Sequence, residues 1–171
     1  MLSFQKKLAS WNQLGLNYPW AQLPRPWVFT NGCFDILHRG HVTYLAQAKT
    51  YGATLIVGLN SDESVKSLNK GIDMYDQRPI NGLEDRLCVI AALESVDCVI
   101  SFNDPTPIQP ILALHPDILI KGGDWHVNNI VGASEVLAWG GTVYSLPFEV
   151  ERSTTSIVKK LRSAKTENQA S

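Results

Sequence analysis

A chain of 171 residues with 15 Lys and Arg against 16 Asp and Glu, for a formal charge of −1, has room for one domain with a full core. It shows none of the basic excess that a nucleic-acid binder carries. No run approaches the ~18 apolar residues of a membrane span, and the opening M-L-S-F-Q-K-K-L-A-S-W lacks a sustained apolar stretch and a small-residue cleavage site, so a cytoplasmic protein is expected. Cys33, Cys88 and Cys98 are odd in number, lie in apolar contexts and form no C-x-x-C, which suits reduced thiols.

Residues 1–26 read as a short helix, with Leu2, Leu8 and Trp11 on one side, then a linker in which Pro19, Pro24 and Pro26 forbid continued helix. This extension is expected to pack outside the sheet, as a cover or a dimer contact. The domain proper spans 27–163. An apolar run at 27–30 reads as a buried strand that breaks at Asn31-Gly32, a pair tolerant of positive φ, and Val42, Leu45, Ala46 and Lys49 then recur at helical spacing. A strand at 54–59 precedes Asn60-Ser61-Asp62-Glu63, a helix start rich in caps and first-turn acids, with Lys66 and Lys70 on that helix or just past it. The stretch 71–79 is polar and irregular. Helix resumes over 83–93, a strand follows at 97–100, a helix at 105–114 stops at His115-Pro116, and 117–120 is the next strand. Lys121-Gly122-Gly123-Asp124 is a second glycine-loosened strand exit. Helix at 131–139 ends at Gly140-Gly141, and 142–146 is the fifth strand. Arg152-Ser153-Thr154-Thr155-Ser156 caps a last amphipathic helix with Ile157, Val158 and Leu161 inward, and 164–171 is a polar tail.

This alternation predicts an α/β protein with a doubly wound, parallel, five-stranded sheet and helices on both faces. Ligands in such folds bind beyond the carboxyl ends of the strands, at the switch point. Every distinctive polar cluster falls on that edge: the 30–41 stretch, Asn60-Ser61-Asp62, 121–124 and 152–155.

A strand, a glycine turn and a helix start collect phosphate, because unpaired N–H groups and the positive end of the helix dipole point outward. His38 and His41, three apart with Gly40 between them, share a helix face and would turn two donors on one anion. Asp35, His38 and His41 could instead ligate a metal, but neither H-E-x-x-H nor a metal-spaced cysteine pair accompanies them, so anion binding ranks higher. There is no G-x-G-x-x-G after the first strand, no G-x-x-x-x-G-K-[ST] and no G-x-S-x-G. What remains is a set of donors without an acid–base pair. That suits a nucleophile that is already a phosphate anion, with a second pKa of about 6. The protein then has only to align that oxygen with a nucleotide α-phosphorus and stabilise the departing pyrophosphate. His38 and His41 donate to the triphosphate, while backbone N–H groups around Gly32, Cys33 and Phe34 cradle the acceptor or the α-phosphate. Expected contacts in the first loop also include Thr30, Asn31, Asp35 and Gly40. Ser153, Thr154 and Thr155 exceed what capping alone needs and offer hydroxyls at a second helix start. Lys121 and Gly122 sit at the site edge, where Lys121 meets phosphate or nucleotide rather than serving as a solvated strand-end charge. Asp124 either binds ribose or is an ordinary turn aspartate.

The string N-G-C-F-D-I-L-H-R-G-H, residues 31–41, resembles the H-x-G-H signature of the nucleotidyltransferase superfamily in its cytidylyltransferase-like branch. Over 27–161, V-G-L-N-S-D-E-S-V-K, R-P-I-N-G-L-E-D-R, A-A-L-E-S-V-D, I-L-I-K-G-G-D-W and R-S-T-T-S-I-V look like the adenylyltransferase domains that make ADP-activated heptose, in their stand-alone form without the sugar kinase. The resemblance implies a Rossmann-like nucleotidyltransferase fold. It implies transfer of AMP from ATP to D-glycero-β-D-manno-heptose 1-phosphate, with pyrophosphate leaving and Mg2+ assisting, in lipopolysaccharide core synthesis. It is compatible with a homodimer and implies neither a nucleic-acid nor a membrane partner. By the same carry-over, Asp35, His38 and His41 line the triphosphate site, Lys66, Arg86 and Lys121 contact phosphate or nucleotide, and Asp124 contacts ribose. Residues 153–155 open the second phosphate-binding helix. The chain departs from the pattern in a longer loop at 71–77, in Gly82 where proline is common, and in the N-terminal extension. A glycerol-3-phosphate-type cytidylyltransferase is the alternative, sharing Gly123-Asp124-Trp125 but carrying a longer R-T-E-G-I-S-T. A non-catalytic nucleotide-binding module is a third, disfavoured by the presence of both histidines.

Overall fold

The structure, a computed structural model, describes residues 2–10, 22–68, 78–148 and 153–167. Trp11, Pro19, Lys70, the 71–77 stretch, Arg152 and the tail past 167 lie outside the described residues. Residues 2–10 do not form the expected helix. Ser3–Lys7 make a 3-10 turn, and Leu8–Ser10 form strand β1, which joins the sheet in parallel with Leu8 opposite Val99. An open strand edge offers unpaired donors and acceptors, and the extension supplies their partners. The sheet therefore has six strands rather than five, and part of the extension lies within it rather than outside it.

From β2 (Trp27–Gly32) the chain continues through α1 (Arg39–Lys49), β3 (Thr54–Asn60), α2 (Asp62–Ser67), α3 (Leu83–Ala91) and β4 (Cys98–Phe102). It then runs through α4 (Ile108–Leu114), β5 (Ile118–Gly122), α5 (Ala133–Ala138), β6 (Thr142–Leu146) and α6 (Thr154–Glu167). The sheet order is β1-β4-β3-β2-β5-β6 and every pair is parallel. All seven residues of β3 are buried, as a central strand covered on both faces must be. Its alternate side chains feed two cores. Leu55, Val57 and Leu59 pack with Leu45 of α1 and Ile90 of α3, while Ile56 packs with Ile111 of α4 and Val136 of α5. Helix α6 extends to Glu167, past the expected domain end, and Leu161, expected to face inward, is 66% exposed. Among the described residues no helix is long and apolar enough to cross a membrane.

The feature that positions the site is a difference in pairing. β2 pairs with β3 as far as Gly32 opposite Leu59, but with β5 only as far as Phe29 opposite Leu119. Beyond that point β2 and β5 splay, where the chain, having wound outward from β2 to β4, restarts on the other side of β2. This is the switch point of a doubly wound sheet. Side chains replace the missing ladder. The Tyr44 hydroxyl donates to Ile120 O at 3.3 Å and shares a 2.6 Å hydrogen bond with Thr30 Oγ1, while Lys121 Nζ donates to Asn31 Oδ1 at 3.1 Å.

Candidate active site

The splay opens into two adjoining cavities of about 320 and 230 Å³, which share Asn31, Gly32, Cys33, Lys121 and Trp125. Phe34, Asp35, His38, His41 and Gly122 line the larger one, with Ser153, Thr154 and Thr155 at the start of α6. Twelve of the residues expected from the sequence thus meet around one opening.

Phe34 takes a left-handed backbone conformation, φ 46°, which a non-glycine residue rarely adopts. A Cβ on Gly32 would lie 2.9 Å from the Phe34 ring, so glycine is required for the turn to close. The turn sets the Phe34 ring edge-on to His41, with centroids 5.1 Å apart, and His41 stacks on His38 at 3.7 Å. His38 is the N-cap of α1, but no side chain caps the helix and its first turn holds no acid. By contrast, Ser61 caps α2, which has Asp62 and Glu63 in its first turn. The positive end of α1 is left open to the cleft, as anion binding requires.

Burial depresses both imidazoles. His41 is held down to about 4, first by desolvation and then by the charges of His38 and Arg78, against an opposing backbone contact to Ile36. Both rings are therefore neutral near pH 7, and Nδ1 of each is buried without a partner among the described residues. The His41 imidazole NMR resonances of the free protein are expected to titrate near pH 4, and a midpoint near 6.5 would mean a water-exposed ring. The folded value lies below the unfolded one. The His41 contribution to stability is thus complete above about pH 6.5 and is lost as the pH falls toward 4.

On the opposite wall, Ser153 Oγ accepts from Ser156 N at 3.1 Å and so serves as the helix cap. The hydroxyls of Thr154 and Thr155 have no hydrogen-bond partner among the described residues and remain for a ligand.

Five expected contacts do not line either cavity. Thr30 is fully buried with its hydroxyl on Tyr44, Gly40 is buried within α1, Lys66 is exposed on α2, and Asp124 is exposed beside Trp125. Arg86 is corrected most sharply. Its guanidinium is buried, donating to Cys33 O at 2.7 Å, Asn60 O at 2.8 Å, Asn81 O at 3.0 Å and Asp62 Oδ1 at 2.7 Å. It holds the loop rather than a phosphate. Asp35 borders the cleft, but its carboxylate is already committed to Arg78 Nε and to the N–H groups of Ile80 and Asn81. Asp35 is therefore not a free metal ligand, and among the described residues no three His, Cys, Asp or Glu side chains cluster as a metal site. Sequence reasoning missed Tyr44, Arg78, Trp125 and Phe148 in the larger cavity. Tyr44 and Phe148 pack edge-to-face at 5.6 Å, a contact across 104 residues that no local pattern announces.

The chain matches the cytidylyltransferase-like family over residues 29–168. It is 48% identical over 159 residues to a D-beta-D-heptose 1-phosphate adenylyltransferase of Bordetella bronchiseptica, covering 93% of this chain and 96% of that protein. It is 52% identical over 136 residues to the bifunctional protein HldE of Shewanella amazonensis, covering 80% of this chain but only 28% of that longer protein. Among solved structures it resembles a lipopolysaccharide core biosynthesis protein from Thermoplasma volcanium, with a TM-score of 0.58 at 28% identity, over 74% of this chain and 98% of that one.

Proposed function

The chain belongs to the cytidylyltransferase-like family, and from that premise we propose that it is the adenylyltransferase that moves AMP from ATP to D-glycero-β-D-manno-heptose 1-phosphate, giving ADP-heptose and pyrophosphate. One observation carries the chemistry. An uncapped helix start bearing two neutral imidazoles faces Thr154 and Thr155 across one cavity, and among the described residues the two threonine hydroxyls have no partner and no acid–base pair lies beside them. Such a cleft grips a polyphosphate and relies on positioning and charge stabilisation. The sugar phosphate is already an anion at neutral pH and attacks the α-phosphorus without a protein base. The bond from that phosphorus to the bridging oxygen breaks, and pyrophosphate leaves with the electron pair. His38 and His41 donate to the polyphosphate, and Lys121, which lines both cavities, stands at the junction where transfer takes place. The smaller cavity, with Thr106 and Asn129 on its wall, takes the hydroxyl-rich acceptor.

The divalent cation, Mg2+ in this proposal, enters as part of the substrate, held by phosphate oxygens and water. An ATP-consuming step of this kind belongs in the cytoplasm, and a homodimer is compatible with it. Pyrophosphate release from purified protein given ATP or CTP with heptose 1-phosphate or glycerol 3-phosphate tests the assignment. Release is expected with ATP and heptose 1-phosphate. Release confined to CTP and glycerol 3-phosphate would instead make the protein a cytidylyltransferase. Asp124, although exposed, stands beside Trp125 at the rim, and Asp124→Ala is expected to raise KM for the nucleotide more than it lowers kcat, because a ribose contact is equal in ground and transition states. A change confined to KM for the sugar phosphate would move Asp124 to the acceptor side.

A further inference from the structure

Arg78 enters the sequence reading only within the 71–79 stretch and as the first residue of R-P-I-N-G-L-E-D-R, with no role of its own, yet its side chain is only 15% exposed and lines the larger cavity with both histidines and the start of α6. It is joined at Nε, 2.9 Å from Asp35 Oδ2, and the Asp35 side chain is completely buried. Among the described residues the guanidinium has no partner besides Asp35, and that contact is made through Nε rather than through the two terminal nitrogens.

A simple clasp between the 33–38 loop and the 78–82 segment would account for an ion pair here. That clasp is complete without Arg78. Asp35 Oδ1 already accepts from Ile80 N at 2.7 Å and Asn81 N at 2.9 Å, and Asn81 Nδ2 returns a bond to Asp35 O at 2.5 Å. These bonds hold the segment by its backbone and disperse the carboxylate charge. The Arg78 pairing adds orientation instead: an arginine held by Nε presents the other two nitrogens as a fork, the geometry that binds phosphate oxygens bidentately.

We infer that Arg78 is an oriented cation of the polyphosphate site and that Asp35 is the positioning residue that aims it. This rests on the proposal that the larger cavity takes the nucleotide polyphosphate. Neutral imidazoles donate hydrogen bonds but bring no charge to a polyanion, whereas a guanidinium fork brings both. Arg78 and His41 line the same cavity, which places the two groups within reach of one ligand.

Calorimetric titration of the full chain with inorganic tripolyphosphate and with ATP tests the inference. Arg78→Gln is expected to weaken both at least ~10-fold, as loss of a charge-assisted contact does, with the thermal transition retained and the His41 NMR midpoint raised. Arg78→Lys keeps a charge but loses the fork and is expected to weaken tripolyphosphate by roughly 3-fold or more. Lys6→Gln, an exposed charge on the N-terminal turn, controls for net charge and binds as wild type. Wild-type affinity in Arg78→Gln overturns the inference, and should that variant not fold, wild-type affinity in Arg78→Lys does so. Absence of tripolyphosphate and ATP binding in the wild-type protein is a different failure, because it removes the nucleotidyltransferase proposal itself.

Discussion

Replacing His41 by alanine is expected to lower kcat by at least ~10²-fold in a protein that remains folded, because one preorganised donor at a site of developing charge contributes about that much. The ring sits in the first turn of α1, stacked on His38 and met edge-on by Phe34, so its direction is set before substrate arrives. Little reorganisation is then needed as charge builds on the departing pyrophosphate. The fold is expected to survive because among the described residues the buried Nδ1 of His41 has no partner, and truncation removes that unsatisfied group together with a ring contact. Steady-state kinetics beside a thermal melt checks both halves. Near-normal kcat in a folded His41→Ala protein contradicts the role assigned to this imidazole. A fall in stability that matches the loss of activity would make the residue structural.

Arg86→Met is expected to destabilise the protein by about 3–5 kcal/mol, the cost of removing one member of a dry, fully bonded charged cluster. The guanidinium side chain has no exposure and serves three backbone carbonyls besides Asp62. Asp62 is one-third exposed and water compensates it, so most of the loss falls on the carbonyls of Cys33, Asn60 and Asn81. The Asn60 carbonyl ends β3 and the Cys33 carbonyl directly follows β2, so the same substitution is expected to loosen the loop that carries Phe34 and the histidines. Arg86→Lys recovers only part of the loss, because one ammonium cannot reach four acceptors held in a planar fork. Urea unfolding measures the effect. A change below about 1 kcal/mol for Arg86→Met would mean that the buried network contributes little and that Arg86 was free to act elsewhere.

The two arginines show where inference from the sequence ended. Arg78 and Arg86 lie eight residues apart in one segment, and the carry-over by resemblance chose Arg86 for phosphate. Packing separates them. Arg86 is drawn beneath the β2–β3 ends, 53 residues from its partner Cys33, and Arg78 is turned into the cleft by Asp35, 43 residues away. Asp35 lines the cavity, but its carboxylate faces the 78–82 segment. Thr30, at the end of the same motif, is spent on Tyr44, because the splay of β2 from β5 leaves a gap that a hydroxyl pair fills.

From the sequence alone came the order of strands and helices after residue 26, the parallel winding, and the collection of polar loops at one sheet edge. These follow from short-range regularities: a period of two for strands, about 3.6 for helices, and glycine or proline where the chain must turn. The facing of His38 and His41 is local too, since residues three apart at a helix start share a side. The tertiary structure alone decided that Leu8–Ser10 add a sixth strand, that β2 and β5 part early enough to make a cleft, and which arginine enters it. Three residues carry no periodicity, and the partner of a buried charge is chosen by what lies next to it once the sheet has closed.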